Sequence, residues 1–137
     1  MENKKIPLSD ISTPALAYLG DCAIEMLVRC ALVESGISSS KRLNSEALKF
    51  VSAPKQAAAV KRIIELLDPE ESAYFKRGRN MGHSSTPKNA SVGEYRLATG
   101  FEALFGYLKL TDNNERAAEL FRIAYSNELQ DLSGSKQ

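Results

Sequence analysis

The chain has 137 residues, 43% of them hydrophobic and 26% charged, and its formal net charge is +1. This composition is ordinary for a globular protein, and the length suits one domain that buries about two-thirds of the surface exposed by the unfolded chain. No apolar run approaches the roughly 18 residues of a membrane span. The lysines of the opening MENKKIPLSD are not followed by an apolar region, so the sequence predicts neither a signal peptide nor a membrane protein.

Helix start and stop signals divide the first half of the chain into four predicted helices. Thr13-Pro14 caps the first helix, which runs to about Glu34. Residues 38–40 cap a second helix that ends near residue 51, and Ser52 with Pro54 begins a third that covers APKQAAAVKRIIELL. Asp68-Pro69, with Glu71 three residues after the cap, begins a fourth that ends near Gly78.

Residues 78–92 are rich in Gly, Ser and Pro and predict a loop. A fifth helix covers GEYRLATGFEALFGYLKL, and Asp112 with Glu115 begins a sixth. The absence of an alternating strand pattern predicts an all-α protein with one domain over residues 1–137, a core over about 8–130 and a frayed tail over 131–137. Such a long loop in a compact helical domain usually has a function.

Two predicted helices carry an apolar stripe on one face and acids off that stripe. The predicted core stripe of the first helix is Leu16, Leu19, Ala23, Leu27 and Ala31, and that of the fifth is Leu97, Phe101, Leu104, Phe105 and Leu108. Opposite the first stripe lie Asp21 and Glu25, and Gly20 precedes Asp21 at a cost of about 1 kcal/mol relative to alanine within a helix. This cost favours close packing at that turn. Glu102 is surrounded by small residues, which would also permit close approach of another helix.

Asp21 and Glu102 together favour metal chemistry, although each acid also fits an ordinary surface position, and Glu25 fits an exposed pair with Arg29. Carboxylates bind Mg²⁺ through oxygen, and such an ion activates water and neutralises charge on a phosphodiester. The segment YFKRGRNMGHSSTPKNASVGEYR is basic on a nearly neutral chain, which indicates an anionic partner. The basic side chains at the start and in the middle of this segment are Lys76, Arg77, Arg79 and Lys88.

Cysteine and histidine usage limits the other possibilities. Cys22 and Cys30 would lie about 12 Å apart along the first helix, which is too far for a disulfide, and reduced thiols are typical of a cytoplasmic protein. His83 is the single histidine, and no Cys-x-x-Cys spacing occurs, so a zinc site is not expected.

Two motifs of the sequence resemble those of a known family. LAYLGDCAIE resembles the Leu-Glu-Phe-Leu-Gly-Asp signature of the ribonuclease III catalytic domain, and TGFEALFGYLKL resembles its second acidic helix, Asp-Thr-x-Glu-Ala-Leu-x-Gly. FVSAPKQA, KRGRN, PKN and YRLATGFEALFGYL occur in the order typical of the short bacterial Mini-ribonuclease III branch, which has the catalytic domain alone. The resemblance covers roughly residues 8–130.

The resemblance implies an all-α homodimer that cuts double-stranded RNA with Mg²⁺, each protomer cutting one strand and leaving 5′-phosphate ends. Asp21 matches the signature aspartate and Glu102 the metal-binding glutamate, so both are predicted to be catalytic metal ligands. Lys76, Arg77, Arg79 and Lys88 are predicted to bind RNA, and Glu25, Asn89 and Arg96 to support the site. The branch implies a 23S ribosomal RNA precursor as the substrate.

Three positions depart from the pattern of the larger enzymes, which have glutamates where this chain has Pro14 and Ala17, and an aspartate where it has Thr99. The same replacements occur in the Mini branch, so they do not imply an inactive enzyme. Two alternatives stay open, a non-catalytic RNA-binding module of the same fold acting in ribosome assembly and a helical adaptor with a protein partner. The pair of Asp21 and Glu102 disfavours the first, and the basic segment disfavours the second.

Overall fold

The computed structural model describes residues 5–81 and 90–134 of the chain. Its helices are α1 (Thr13–Glu34), α2 (Ser40–Val51), α3 (Ala53–Lys61), α4 (Pro69–Arg79), α5 (Val92–Leu110), α6 (Asn114–Ala124) and α7 (Ser126–Gly134), with 3₁₀ turns at Leu8–Asp10 and Ile64–Leu66. These residues include no strand, which confirms the predicted all-α class. None of the helices in the described ranges is both long and apolar enough to cross a membrane.

The helix N-termini follow the capping signals closely. Asp68 and Glu71 form the predicted capping box of α4, and Ser91 forms a second box at the start of α5. At α1 the cap is Ser12 rather than Thr13, because the Ser12 hydroxyl accepts the backbone N–H of Ala15 at 3.2 Å. The side chain of Thr13 is therefore available for another contact.

Two predicted boundaries were wrong. The third helix ends at Lys61 instead of residue 67, and the break lets Ile63 enter the core while Arg62 donates to the carbonyl oxygen of Ala124 at 2.7 Å. The sixth helix does not begin at Asp112, because that residue has a φ of 56° and belongs to the turn after α5. A backbone in the left-handed region cannot start a right-handed helix.

The chain end is more ordered than the sequence pattern indicates. A separate helix, α7, continues to Gly134, so residues 131–134 of the predicted frayed tail are helical. Leu132 lies within the core at 7% exposure, and its burial holds the last turns of α7 against the rest of the fold.

The core is organised around α5, which packs against α1, α3, α4 and α6. Of the stripe predicted on α5, all but the half-buried Leu97 are buried. Aromatic side chains fill the centre, where Phe101 packs edge-on against Phe105 and the Tyr125 hydroxyl donates to the carbonyl oxygen of Phe50 at 2.7 Å. Burial of this hydroxyl is tolerated because it has a hydrogen-bond partner.

The buried face of α1 differs from the predicted one by one row. The row that faces the core is Leu16, Gly20, Ile24, Val28 and Leu32, whereas Leu19, Ala23, Leu27 and Ala31 form a half-buried row beside it. The prediction failed because Gly20 adds nothing to a hydrophobic pattern although it lies at the closest contact of the helix. Ala17 is buried as well.

Glu71, in the first turn of α4, links α4 to α6. Glu71 is 3% exposed, and its carboxylate accepts two hydrogen bonds from Arg116, each at 2.9 Å. The same carboxylate completes the capping box of α4, and Arg116 also donates to the carbonyl oxygen of Leu66. A buried charge with this many partners is strongly held in place, and removal of one partner is costly.

Candidate active site

The candidate site is built where α1 crosses α5 with almost no gap. A Cβ atom added at Gly20 would overlap the carbonyl oxygen of Glu102, and one added at Gly106 would overlap the carbonyl oxygen of Leu16. Only hydrogen atoms separate the two backbones at these positions. The close packing predicted at Gly20 and around Glu102 is therefore confirmed.

This crossing places Asp21 beside Glu102. Their carboxyl groups lie within hydrogen-bonding reach of each other, with Asp21 exposed and Glu102 half-buried. Burial, followed by the charge and the hydrogen bond of Asp21, raises the pKa of Glu102 from 4.5 to about 8. Two carboxylates held this close repel each other when both are ionised, and a bound cation would relieve that repulsion.

Both carboxylates open into a surface depression of about 270 Å³. Its lining is Pro14, Ala17, Tyr18, Asp21, Met81, Tyr95, Thr99 and Glu102. All three positions at which the sequence departs from the larger enzymes, namely Pro14, Ala17 and Thr99, face this depression. The departures therefore remove acidic groups from around the carboxylate pair, and not from elsewhere on the surface.

Sequence reasoning assigned no role to Tyr18, Met81 or Tyr95 in this lining. Tyr95 lies one and two turns before Thr99 and Glu102 on α5, so helical spacing could have identified it. Tyr18 lies one turn before Asp21 in the same way. Met81 follows the end of α4, and no spacing rule places a residue after a helix end next to another helix.

Three of the four basic side chains predicted to bind RNA lie on α4, and Arg79 lies there rather than in the predicted loop. Lys76, Arg77 and Arg79 form the last turn of α4, which extends past the predicted end near Gly78. Gly78 makes the extension possible, because a Cβ atom there would meet the backbone of Thr99 and the Cα of Gly100 at 2.6 and 2.8 Å. Cationic side chains also stabilise a helix C-terminus through the macrodipole.

These three cations differ in what they contact. Lys76 is exposed and has no ion pair or hydrogen-bond partner among residues 5–81 and 90–134. The Nε of Arg79 donates to Asn80 at 3.2 Å, and its guanidinium lies 5.7 Å above the ring of Phe75. The guanidinium of Arg77 is half-buried and donates to Thr13 and to the carbonyl oxygen of Ile11.

The remaining predicted site residues lie outside this depression or outside the described residues. Glu25 accepts from Arg29 at 3.0 Å, which confirms the predicted i, i+4 pair, and both line a groove between α1 and α2 instead. Arg96 is exposed on α5. Lys88 and Asn89 fall in residues 82–89, outside the described ranges.

The described residues offer few possible metal ligands. Within residues 5–81 and 90–134, no cluster of three or more Asp, Glu, His or Cys side chains is placed to hold a metal ion, so Asp21 and Glu102 form a pair without a third acid. An ion bound by two carboxylates would complete its coordination with water, as Mg²⁺ usually does in proteins. Cys22 and Cys30 are free, as the sequence predicted, and both are exposed.

Comparison of the sequence and structure with known proteins identifies the family of this chain. The family model of the Ribonuclease III domain matches residues 14–113, which span the start of α1 to the end of the turn after α5. The chain belongs to the ribonuclease III family. The matched range includes both Asp21 and Glu102. Ribonuclease III membership assigns the chain to the endoribonucleases, as predicted.

Relatives within the ribonuclease III family cover nearly the same length. The Mini-ribonuclease 3 of Thermoanaerobacter sp. (strain X514) is 40% identical over 114 residues, which are 83% of this chain and 80% of that protein. The Mini-ribonuclease 3 of Enterococcus faecalis is 44% identical over 108 residues, or 77% of this chain and 82% of that protein. The crystal structure of a Fusobacterium nucleatum protein superposes with a TM-score of 0.81 at 30% identity, covering 89% of this chain and 94% of that one.

Proposed function

We propose that this chain is a Mg²⁺-dependent endoribonuclease that cleaves double-stranded RNA at the depression holding Asp21 and Glu102. The observation that carries the proposal is the meeting of these two carboxylates, from helices far apart in sequence, at a backbone-to-backbone crossing. Membership of the ribonuclease III family supports the type of reaction, and the resemblance to the Mini branch supports a ribosomal RNA precursor as the natural duplex.

The residues present fit a divalent cation. Asp21 and Glu102 offer the oxygen ligands that Mg²⁺ prefers, and their mutual repulsion is a cost that a cation removes. When bound, the ion supplies an activated water and neutralises charge on the phosphodiester. Glu102 must lose its proton to bind the ion, so binding lowers the pKa that burial and Asp21 have raised.

The other residues of the site bind and orient the RNA. The depression is open to solvent on one side, which allows a duplex backbone to approach Asp21 and Glu102 without unwinding. Lys76 and Arg79 project from the end of α4, two to five residues before Met81, which lines the depression. We assign them phosphate contacts, which supply affinity without sequence preference, while the A-form shape supplies the preference for duplex.

A homodimer would bring two such sites to the two strands. The half-buried row of α1 supports it, because together with Cys22 and the 62% exposed Met26 most of that row lines an apolar depression of about 210 Å³. This row was predicted to be core, and contact with a second copy would complete its burial. An isologous contact along α1 would be self-complementary.

Cleavage assays with two acid variants test the proposed site. A long RNA duplex is incubated with the wild type, Asp21→Asn and Glu102→Gln, with and without Mg²⁺. Both variants should remain folded and bind duplex but lose cleavage by at least about 10²-fold, since each removes a ligand charge. Glu25→Gln is the matched control and should cut at nearly the wild-type rate, because its carboxylate pairs with Arg29 away from the depression. Cleavage by either site variant at the wild-type rate would refute the assignment.

Sedimentation tests the dimer with a pair of matched substitutions on α1. Met26→Glu should dissociate the protein, whereas Val33→Glu, at the same 62% exposure but beside α2, should not. A 15 kDa wild-type species at micromolar concentration that still cuts both strands would contradict the dimer.

A further inference from the structure

We propose that Arg77 is a positioning residue that fixes the direction of α1, and through it Asp21, rather than a residue that grips RNA. This inference rests on the proposed function, since it assigns a role in the same reaction. The Nη2 of Arg77 donates to the carbonyl oxygen of Ile11 at 2.9 Å, and its Nε donates to the Thr13 hydroxyl at 3.2 Å. The two acceptors lie on either side of Ser12, the cap of α1.

The position of the guanidinium is itself set by a stack of side chains. Arg77 lies 5.1 Å above the ring of Tyr74, and Tyr74 stacks on Tyr107 with ring centroids 4.4 Å apart and planes 13° from parallel. The Tyr107 hydroxyl donates to Glu70 at 2.8 Å, which closes the series at the first turn of α4. Arg77 is therefore held in place by the ring of Tyr74, and it in turn holds residues 11–13 by its hydrogen bonds.

The start of α1 needs a contact of its own because the core does not reach it. The close approaches of Gly20 and Leu16 to α5, and the buried row that continues to Leu32, hold α1 from residue 16 onward, but none of residues 13–15 is buried. Pro14 lies with Ala17 and Asp21 on the face of α1 that lines the depression, so a displacement of the first turn would change that face. Arg77 supplies such a contact at the helix start.

Lysine cannot replace this arrangement although it keeps the charge. Its ammonium group is a single flexible point charge, whereas the two hydrogen bonds and the ring contact use the planar fork of arginine. Arg77→Lys therefore separates the two interpretations. A phosphate contact would largely survive the change, and the fastening of α1 would not.

The first measurement compares binding and cleavage on duplex RNA. We expect Arg77→Lys to bind RNA in EDTA with an unchanged slope of log affinity against log salt, and to cut at saturating RNA and Mg²⁺ on the order of 10- to 100-fold more slowly. Arg122→Lys, on the exposed side of α6, is the matched control and should leave both quantities unchanged. A wild-type cleavage rate in Arg77→Lys would overturn the proposal, because this change keeps the charge that a phosphate contact needs but removes the paired hydrogen bonds to Ile11 and Thr13.

The second measurement is a double-substitution cycle with the hydroxyl acceptor. Thr13→Val removes the acceptor of the Arg77 Nε, and Thr13→Ser keeps it. We expect Thr13→Val to slow cleavage in the same direction, Thr13→Ser to retain the rate, and the double variant Arg77→Lys/Thr13→Val to be no slower than Arg77→Lys alone. Independent, multiplicative losses would overturn the coupling, because a general loss of stability does not require the two effects to coincide.

The third measurement is amide hydrogen exchange in the metal-free proteins, which reports how firmly the start of α1 is held without reference to catalysis. Arg77→Lys and Thr13→Val should speed exchange in the first turns of α1, at Leu16 and Ala17, relative to wild type and Thr13→Ser. Unchanged exchange at these amides would overturn the proposal. A wild type that failed to cut duplex RNA with Mg²⁺ would instead defeat the proposed function, and the exchange result would still decide whether Arg77 fastens α1.

Discussion

The pairing of Glu102 with Asp21 predicts a stability that depends on pH and on Mg²⁺ in a way that Glu102→Gln should abolish. The pKa of Glu102 is about 8 in the folded protein and 4.5 as its ordinary value, so the folded state favours the protonated acid. Stability from this group is complete below about pH 4.5 and is lost as the pH rises towards 8. Glutamine cannot ionise, so the variant should escape this loss.

The magnitude follows from the difference between the two pKa values. At about 1.4 kcal/mol per pKa unit, the ionisation of Glu102 can lower the free energy of unfolding by at most about 5 kcal/mol. Solvent screening at an open depression reduces this loss to about 2 kcal/mol. At pH 4 the wild type and Glu102→Gln should therefore unfold at nearly the same urea concentration. At pH 8.5 without divalent ions, the variant should be about 2 kcal/mol more stable.

Magnesium supplies the second half of this test. At about ten times its Kd, Mg²⁺ should stabilise the wild type at pH 8.5 by about 1.4 kcal/mol through binding to the folded state. The same addition should leave Glu102→Gln nearly unchanged, and Glu25→Gln should behave as wild type throughout. The reasoning would be refuted by equal stability of wild type and Glu102→Gln at pH 8.5, or by equal stabilisation of both by Mg²⁺.

Three further predictions concern packing and RNA contact. Gly20→Ala should force α1 and α5 apart, lower the free energy of unfolding by several kcal/mol and abolish cleavage, whereas Gly93→Ala, whose Cβ would meet nothing nearer than 3.9 Å, should be neutral or stabilising in urea unfolding. Arg116→Gln should cost about 3–5 kcal/mol in the same assay, because it leaves the buried Glu71 carboxylate unpaired. Lys76→Gln should lower the salt slope of RNA binding by about 0.9, and an unchanged slope would remove it from the RNA contacts.

The sequence was sufficient for the starts of the first five helices, and the reasons are local. Caps such as Asp68 with Glu71 are short-range signals, and they placed the start of α4 correctly. The glycine before Asp21 predicted a close contact because a helix does not keep such a costly residue without a packing reason. The grouping of Asp21 with Glu102 was a hypothesis from their chemistry, which the family resemblance supported, since no spacing rule joins positions so far apart.

The features that could not be predicted from the sequence depend on backbone atoms and on residues distant in the chain. The predicted core face of α1 was wrong by one row because Gly20 has no side chain to contribute to a hydrophobic pattern. The hydrogen bond from Arg77 to Ile11 could not be predicted, because its acceptor is a backbone carbonyl oxygen and every residue has one. The end of α3 at Lys61 likewise follows from the contact of Arg62 with Ala124, across the fold.

The backbone-to-backbone crossing at Gly20 and Gly106 also separates two kinds of evolutionary constraint. A distance set by side chains drifts whenever one of them changes size, but here the spacing of the two acids is the thickness of the main chain itself. Aromatic residues away from this crossing, such as Phe50 and Tyr125, can therefore be exchanged at a cost in stability without altering the separation of the two main chains there. We therefore expect related sequences to diverge in their interior more readily than at Gly20, Asp21, Glu102 and Gly106.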